Sequence, residues 1–518
     1  MIRQVFMFLS SEAATSSMIT RWLFFRLLGI VHLTAFASYA VQILGLNGEN
    51  GVQPTRALLN ASYHAYGKAA YYLLPTIEWW NCSDQALQTI VWSGALLSVL
   101  VILGVATGPL LCILCVLWLS LVSGGGEFTA FQSDGMLVEA TILSLLLVPW
   151  QLFEPPWPVR AELRKQYPPS AAALWSIRFM IFRLMLAAGL VKILSGDPTW
   201  RQLTALDFHF ETQPIPTPMA WYAHWLPEWS HKASVVAMYL SELAAPILIF
   251  CGRFPRMIAA IFIGSLHAMI ALTGNYTFLN LLSITLCIPL LDDGMTSHMV
   301  PLWLRRQIRM ARSDKTQPIV QRRLLFISSF LLILLAACQL VNSVLPGYVP
   351  GAVRECLAEI APFHLADHYG LFAVMTTSRP EIVLEGTRDG ENWLAYEFKY
   401  KVGDDLKRAP PWVEPHMPRL DWRLWFAAME PLEENPWVLE LVRRLLEGTL
   451  DVRIFFEKDP FANAPPLLVR AFVYDYHFST PEERNKTGQW WRRDKKRVYL
   501  PPTALVNGRL IIVKSQER

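Results

Sequence analysis

Charge is what this sequence has least of. Only 17% of its 518 residues are Asp, Glu, Lys or Arg, against about a quarter in soluble globular proteins. The shortfall is uneven: hardly any run before Val344 is rich in charge, whereas 381–518 has the composition of an ordinary soluble domain. Seven cysteines are too few for a disulfide scaffold. Cys112 and Cys115 form a CxxC, but they lie in the apolar run LLCILCVLWL with no nearby base to lower a thiol pKa, so they read as small membrane-helix residues. No cleavable signal peptide is evident, because the apolar stretch at 5–9 is shorter than an h-region requires. No His, Cys, Asp or Glu set has metal-ligand spacing, and Gly124-Gly125-Gly126 lacks the following Lys-Ser/Thr of a phosphate loop. No serine sits in a G-x-S-x-G elbow, so the chain is not itself a recognisable lipase. A net charge of +4 carries no nucleic-acid signal. No repeat is apparent, which argues against a transporter. Neither a metal nor a cofactor is expected.

Apolar runs are what the chain has in quantity. It is 53% hydrophobic, with a mean hydropathy of +0.30. In hydrocarbon every backbone group must be paired within the segment, so each crossing is a helix of about 20 residues. Candidate crossings are 22–44, 87–105, 109–123, 135–150, 174–194, 234–251, 256–273, 276–291 and 324–345, about nine by this ruler. The segments 109–123 and 276–291 are short and could be re-entrant. Loop cations set the orientation. Clusters at Arg160, Arg164 and Lys165, at Arg253 and Arg256, and from Arg305 to Arg323 all fall on one side if the N-terminus is cytoplasmic. The loops 45–86 and 195–233, and everything after Pro346, then lie outside. The expected fold is thus an α-helical polytopic membrane domain, 1–346, followed by an extracytoplasmic α+β domain, 347–518, with a β-sheet or sandwich.

Within that tail, 381–385, Asp389-Gly390 and 393–400 read as a β-hairpin, since Asp-Gly suits a tight turn with positive φ. Segments 420–429 and 436–446 read as helices, and 452–457 and 467–478 as strands. Trp412, Trp422, Trp425 and Trp437 give an aromatic density that makes them candidates for client contact. The i, i+3, i+4 spacing of Leu420, Leu424 and Ala427 is equally that of a buried helix face. Cys82 and Cys356 are the only cysteines expected in external segments, so they are a possible disulfide.

Ionisable residues inside crossings are costly and therefore candidates for a role. They are Arg26 and His32, Glu139, then Arg178, Arg183 and Lys192 in the fifth crossing, Glu242 and His267. Arg183 needs a carboxylate, from Glu139 or Glu242, and Lys192 is expected beside Asp134 or Glu139, forming a membrane polar network. From Phe182 the chain reads FRLMLAAGLVKILSGDPTWRQLTALDFHFETQPIPTPMAWYAHWLPEW. Gly196-Asp197-Pro198 stops the helix, three prolines impose an extended segment, and the Trp residues suit the headgroup interface. Trp200, His209, Trp221 and His224 mark this external loop as either an interfacial belt or a platform for a client or lipid.

At this block the sequence resembles the lipase maturation factor family. GLVKILSGDPTW and LTALDFHFETQPIPTP are close to its distinctive signature, and RLLGIVHLTAFASYAVQILGLNGENGVQP, FQSDGMLVEA, YGLFAVMTTSRPEIVLEGTRDGENWLAYEFKYK, PRLDWRLWFAAM and LLVRAFVYDYHF continue the resemblance over essentially the whole chain. It implies a multi-spanning protein of the endoplasmic reticulum or bacterial inner membrane that helps secreted lipases, or other exported client proteins, to an active state. The C-terminal SQER is not an endoplasmic-reticulum retention signal, which favours the bacterial membrane. A more distant resemblance joins the membrane part to the vitamin K-dependent carboxylase group. It implies an alternative, an integral membrane enzyme using Lys192 as a base, although the supporting His of that group has no counterpart here.

Overall fold

The computed structural model describes residues 17–155, 157–298, 302, 313 and 315–513. Five helices among the described residues are long and apolar enough to cross a membrane: α1 (Met18–Ala40), α2 (Asp84–Leu103), α3 (Thr107–Gly124), α7 (Arg253–Thr273) and α9 (Ile319–Val344). The other four expected segments are helical but depart from the ruler. Helix α4 (Gln132–Leu145) has 14 residues and ends before the expected 150. Helix α5 (Ala171–Leu194) has 24 residues but carries Arg178, Arg183 and Lys192. Helix α8 (Phe278–Cys287) has 10 residues and tightens into a 3-10 turn at Ile288–Leu290.

Helix α6 (Glu228–Tyr239) continues through a π turn, Leu240–Ala244, into Ala245–Leu248. Its cause is local. Pro246 has no N–H to return to the carbonyl four residues back, at Glu242, and its ring crowds that carbonyl, so the helix opens there.

Connections between these helices sort into two ends of the bundle. At one end Asp293 caps α1, its carboxylate accepting the Met18, Ile19 and Thr20 backbone N–H groups at 2.9, 2.9 and 3.0 Å, a favourable charge for a helix N-terminus. Arg26 meets Glu154 at 2.8 Å, and Arg253 pairs with Asp292, at the same end. Arg305, Arg306, Arg309 and Arg312, and the side chains of Arg160 and Arg164, lie outside the described residues.

The opposite end is covered by the C-terminal region. Strands β1 (Pro380–Thr387), β2 (Leu394–Ala395), β5 (Leu468–Phe478), β6 (Trp491–Val506) and β7 (Arg509–Ile512) form one antiparallel sheet in the order β2-β1-β5-β6-β7, and β3 (Glu397–Phe398) pairs with β4 (Phe456–Lys458). Between β1 and β2 lies the expected Asp-Gly hairpin, with Glu385 opposite Ala395 and Gly390 at φ 81°. Helices α10 (Arg419–Met429) and α11 (Pro436–Glu447) fall where the apolar spacing puts them. The segment expected as a strand at 452–457 is mostly a 3-10 turn, Asp451–Phe455. Strand β6 is not legible in the sequence, because WRRDKKRV shows no apolar alternation, and its pairing with β5 supplies the order instead.

One hydrophobic core runs unbroken from α1, through Phe36 and Trp118, to Leu420, Leu441 and Val473 of the C-terminal region. The approach is close enough that a Cβ at Gly45 would stand 2.5 Å from the Asp451 carbonyl oxygen.

Candidate functional site

Where the bundle meets the C-terminal region, buried charges face each other across the joint. Asp134, in the first turn of α4, receives both ends of the Arg419 guanidinium at 2.8 Å, and Arg419 also donates to the Phe128 carbonyl at 2.6 Å. Both residues are fully buried. Fork-shaped pairing of this kind is the strong form of an ion pair. Around it, the Gln42 side chain joins the Met417 carbonyl at 2.8 Å and the Arg419 N–H at 3.0 Å, so the turn after α1 reads the start of α10 by its backbone.

Glu139, five residues beyond Asp134 on the same helix, pairs with Arg183 of α5. Its second oxygen accepts the Tyr369 hydroxyl at 2.7 Å and the Asp367 N–H at 3.1 Å. The Arg183 guanidinium lies 4.7 Å from the Tyr369 ring centroid, within cation–π range. A membrane-helix pair is thereby completed by the chain that follows α9.

Lys192 pairs with neither Asp134 nor Glu139. Its ammonium donates to both Glu242 oxygens at 2.9 and 3.0 Å and to the Ala188 carbonyl at 3.2 Å. Glu242 belongs to the π turn, which alters the face its residues present, and Gly189 lets that turn approach α5, since a Cβ there would meet Leu243 at 2.6 Å. All three donors of the buried ammonium are taken, the arrangement of an interhelical lock, and no observation favours its use as a base.

The loop between α5 and α6 is pinned by the C-terminal region. Trp200 donates to the Phe372 carbonyl at 3.0 Å, Trp221 to the Ser479 carbonyl at 3.0 Å, and Arg379 to the Glu211 and Pro214 carbonyls, both at 2.8 Å. Glu211 accepts the Phe478 N–H at 2.7 Å and meets His477 at 2.9 Å. That bond holds His477 above the usual imidazole value. His224 stands 3.8 Å from the same carboxylate. His209 lies stacked beside Tyr276, and burial pushes it down to about 4.

Three of the four aromatic candidates for client contact are core residues. Trp422 packs edge-on against Phe131 and Tyr276, Trp425 donates to the Thr212 carbonyl at 2.9 Å, and Trp437 packs on Phe128. The amphipathic spacing of α10 and α11 put them inside; only Trp412 is exposed, at 53%. Cys82 and Cys356 are not bonded: both are free thiols. Their two segments are tied instead by the Tyr72 hydroxyl on the Glu359 carbonyl at 2.5 Å. No cluster among the described residues could hold a metal ion.

Sequence reasoning missed Arg419, Arg379, Tyr369 and Glu414, all in the soluble-looking part, where charge is ordinary. Glu414 reaches down to α8 and accepts from the Asn280 side chain at 2.6 Å, while Asn275 accepts the Val413 and Glu414 N–H groups at 2.8 and 3.0 Å. Burial pushes the Glu414 carboxyl up to about 7 from 4.5. With a folded value above the unfolded one, the acid form is the native partner, so its stabilisation is present in acid and is lost as pH rises through about 7. The melting temperature of the wild type should therefore fall, between pH 5 and 8, relative to that of Glu414→Gln, which keeps the neutral form. Parallel curves for the two proteins would contradict this.

Fold and joint together define a polytopic α-helical membrane protein with an α+β domain docked on one end of its bundle. A family model for the lipase maturation factor transmembrane domain matches residues 19–298, and one for the lipase maturation factor C-terminal domain matches 365–501. Lipase maturation factor 2 of Gallus gallus is 32% identical over 599 aligned residues, covering 94% of this chain and 81% of its own. Lipase maturation factor 1 of Homo sapiens is 32% identical over 515, covering 94% and 88%. No solved structure matches. The chain belongs to the lipase maturation factor family and is an integral membrane protein.

Proposed function

We propose that this chain is a membrane-embedded maturation factor that assists secreted lipases, or other exported clients, to their active, assembled state. The observation that carries the reading is the family match across both the bundle and the C-terminal domain. The joint adds a physical rationale, because a domain clamped by buried ion pairs is a fixed platform at the membrane. In this reading 1–346 crosses the membrane about nine times, from a cytoplasmic N-terminus to an extracytoplasmic domain at 347–518. Alternate connectors lie at opposite ends of the bundle, and the connectors of one end carry the contacts to the C-terminal domain, which supports an odd number of crossings. Trp412 is the aromatic side chain of the original four left to meet a client.

Co-expression tests the function. A secreted lipase should reach a higher activity per unit mass with the chain than without it; equal values would overturn the reading. Reporter fusions after Leu345 that are active only in the cytoplasm would overturn the topology.

A further inference from the structure

We propose that the loop between α5 and α6 is a membrane foot, with Trp225, Leu226 and Trp229, flanked by Met219 and Tyr222, lying in the headgroup layer and taking phospholipid as their partner. The proposal rests on the reading that α6 crosses the membrane. All five side chains are exposed, Trp229 at 72%, although they lie within one short stretch. An apolar surface of this kind facing water would normally be a binding site or an aggregation hazard.

Its surroundings decide between water and lipid. Trp229 is the second residue of α6, and two exposed residues below it, Val236 and Leu240 (the latter where the π turn begins), follow at helical spacing on the same face. The patch is the upper end of a continuous apolar stripe, at the level where indole and phenol rings are favoured. From the other side the loop is held rigidly. Trp221 is fixed to Ser479, and the Arg484 guanidinium lies 4.3 Å from the Trp221 ring centroid and 3.4 Å from that of Trp490. His231 joins the Ala223 carbonyl at 2.8 Å. The loop is therefore clamped by the C-terminal domain above and apolar below, which sets that domain at a fixed height over the bilayer. Glu228 and Lys232 pair at 2.6 Å and cancel each other, so the foot has no reason to prefer anionic lipid.

The test uses the full chain without its seven native cysteines, in phosphatidylcholine nanodiscs. A fluorescent thiol label is placed through Trp229→Cys, Leu240→Cys or Leu450→Cys, the last being an exposed site on the C-terminal domain. Label 229 should be quenched by phosphatidylcholine brominated near the carbonyl end of its chains. It should also be several-fold less sensitive to aqueous iodide than label 450, with no change when anionic lipid is added. Label 240 should respond to bromine at mid-chain. If label 229 matches label 450 towards iodide and ignores bromolipid while label 240 is quenched, the foot is wrong and the patch is open to a protein. If label 240 is also unquenched, the crossing itself fails. Should the cysteine-free chain not fold, Trp225→Ala/Trp229→Ala in the otherwise native chain should lose part of the bromolipid-sensitive tryptophan fluorescence, and an unchanged response would overturn the proposal.

Discussion

Arg419→Ala is expected to be the most damaging single substitution at the joint. It strips both charged hydrogen bonds from Asp134, which lies fully buried, and leaves the Phe128 carbonyl without its donor. Removing one partner of a buried pair costs about 3–5 kcal/mol, because the other charge stays behind. That is a large share of a typical stability of about 5–15 kcal/mol. Detergent-extracted Arg419→Ala should give a much lower yield and melting temperature, and the C-terminal domain should become protease-sensitive while α1 to α8 remain intact. The apolar double variant Asp134→Leu/Arg419→Met should recover most of the loss, since an ion pair replaced by matched hydrophobic groups is often neutral. A single variant that melts with the wild type would show that the pair is not a clamp.

Arg183→Ala comes second. It leaves Glu139 buried, but the carboxylate keeps the Tyr369 hydroxyl and the Asp367 N–H, so the loss should sit at the lower end of the same range of about 3–5 kcal/mol. Adding Glu139→Gln removes the orphaned charge and should restore part of the melting temperature. Tyr369→Phe alone should cost about 1.5–3 kcal/mol, as expected for a hydrogen bond to a charged group. Unchanged yield and melting temperature for Arg183→Ala would mean that water, or a snorkelled geometry, already satisfies Arg183.

The difference between these two pairs marks what could be read from the sequence. Arg183 in an apolar run announces its need for a carboxylate, and only a few are on offer in the other runs. Arg419 announces nothing, because it lies in a segment of ordinary charge, and its partner is 285 residues away. Lys192 shows a third case. Its need for an anion was legible, but the choice of Glu242 depends on the π turn above Pro246, a local change of helix register that apolar periodicity does not report. The helices themselves were legible because the bilayer imposes a length and an apolar composition. The Asp-Gly hairpin and α10 were legible because turn chemistry and helical spacing are local. That same spacing explains why Trp422, Trp425 and Trp437 are interior: the aromatic density of the domain was core before it was surface.

The measurement closest to the central claim compares secreted lipase activity, per unit mass of lipase, in cells carrying the wild-type chain, no chain, or Lys192→Met/Glu242→Leu at equal membrane abundance. The double variant removes the ammonium without stranding its carboxylate, so it separates chemistry from folding. A maturation factor acting as a clamped platform predicts that the double variant stays close to the wild type and well above the chain-free cells. Activity that falls to the chain-free level, in a double variant that is folded and abundant, would contradict the account and hand Lys192 the role of a base.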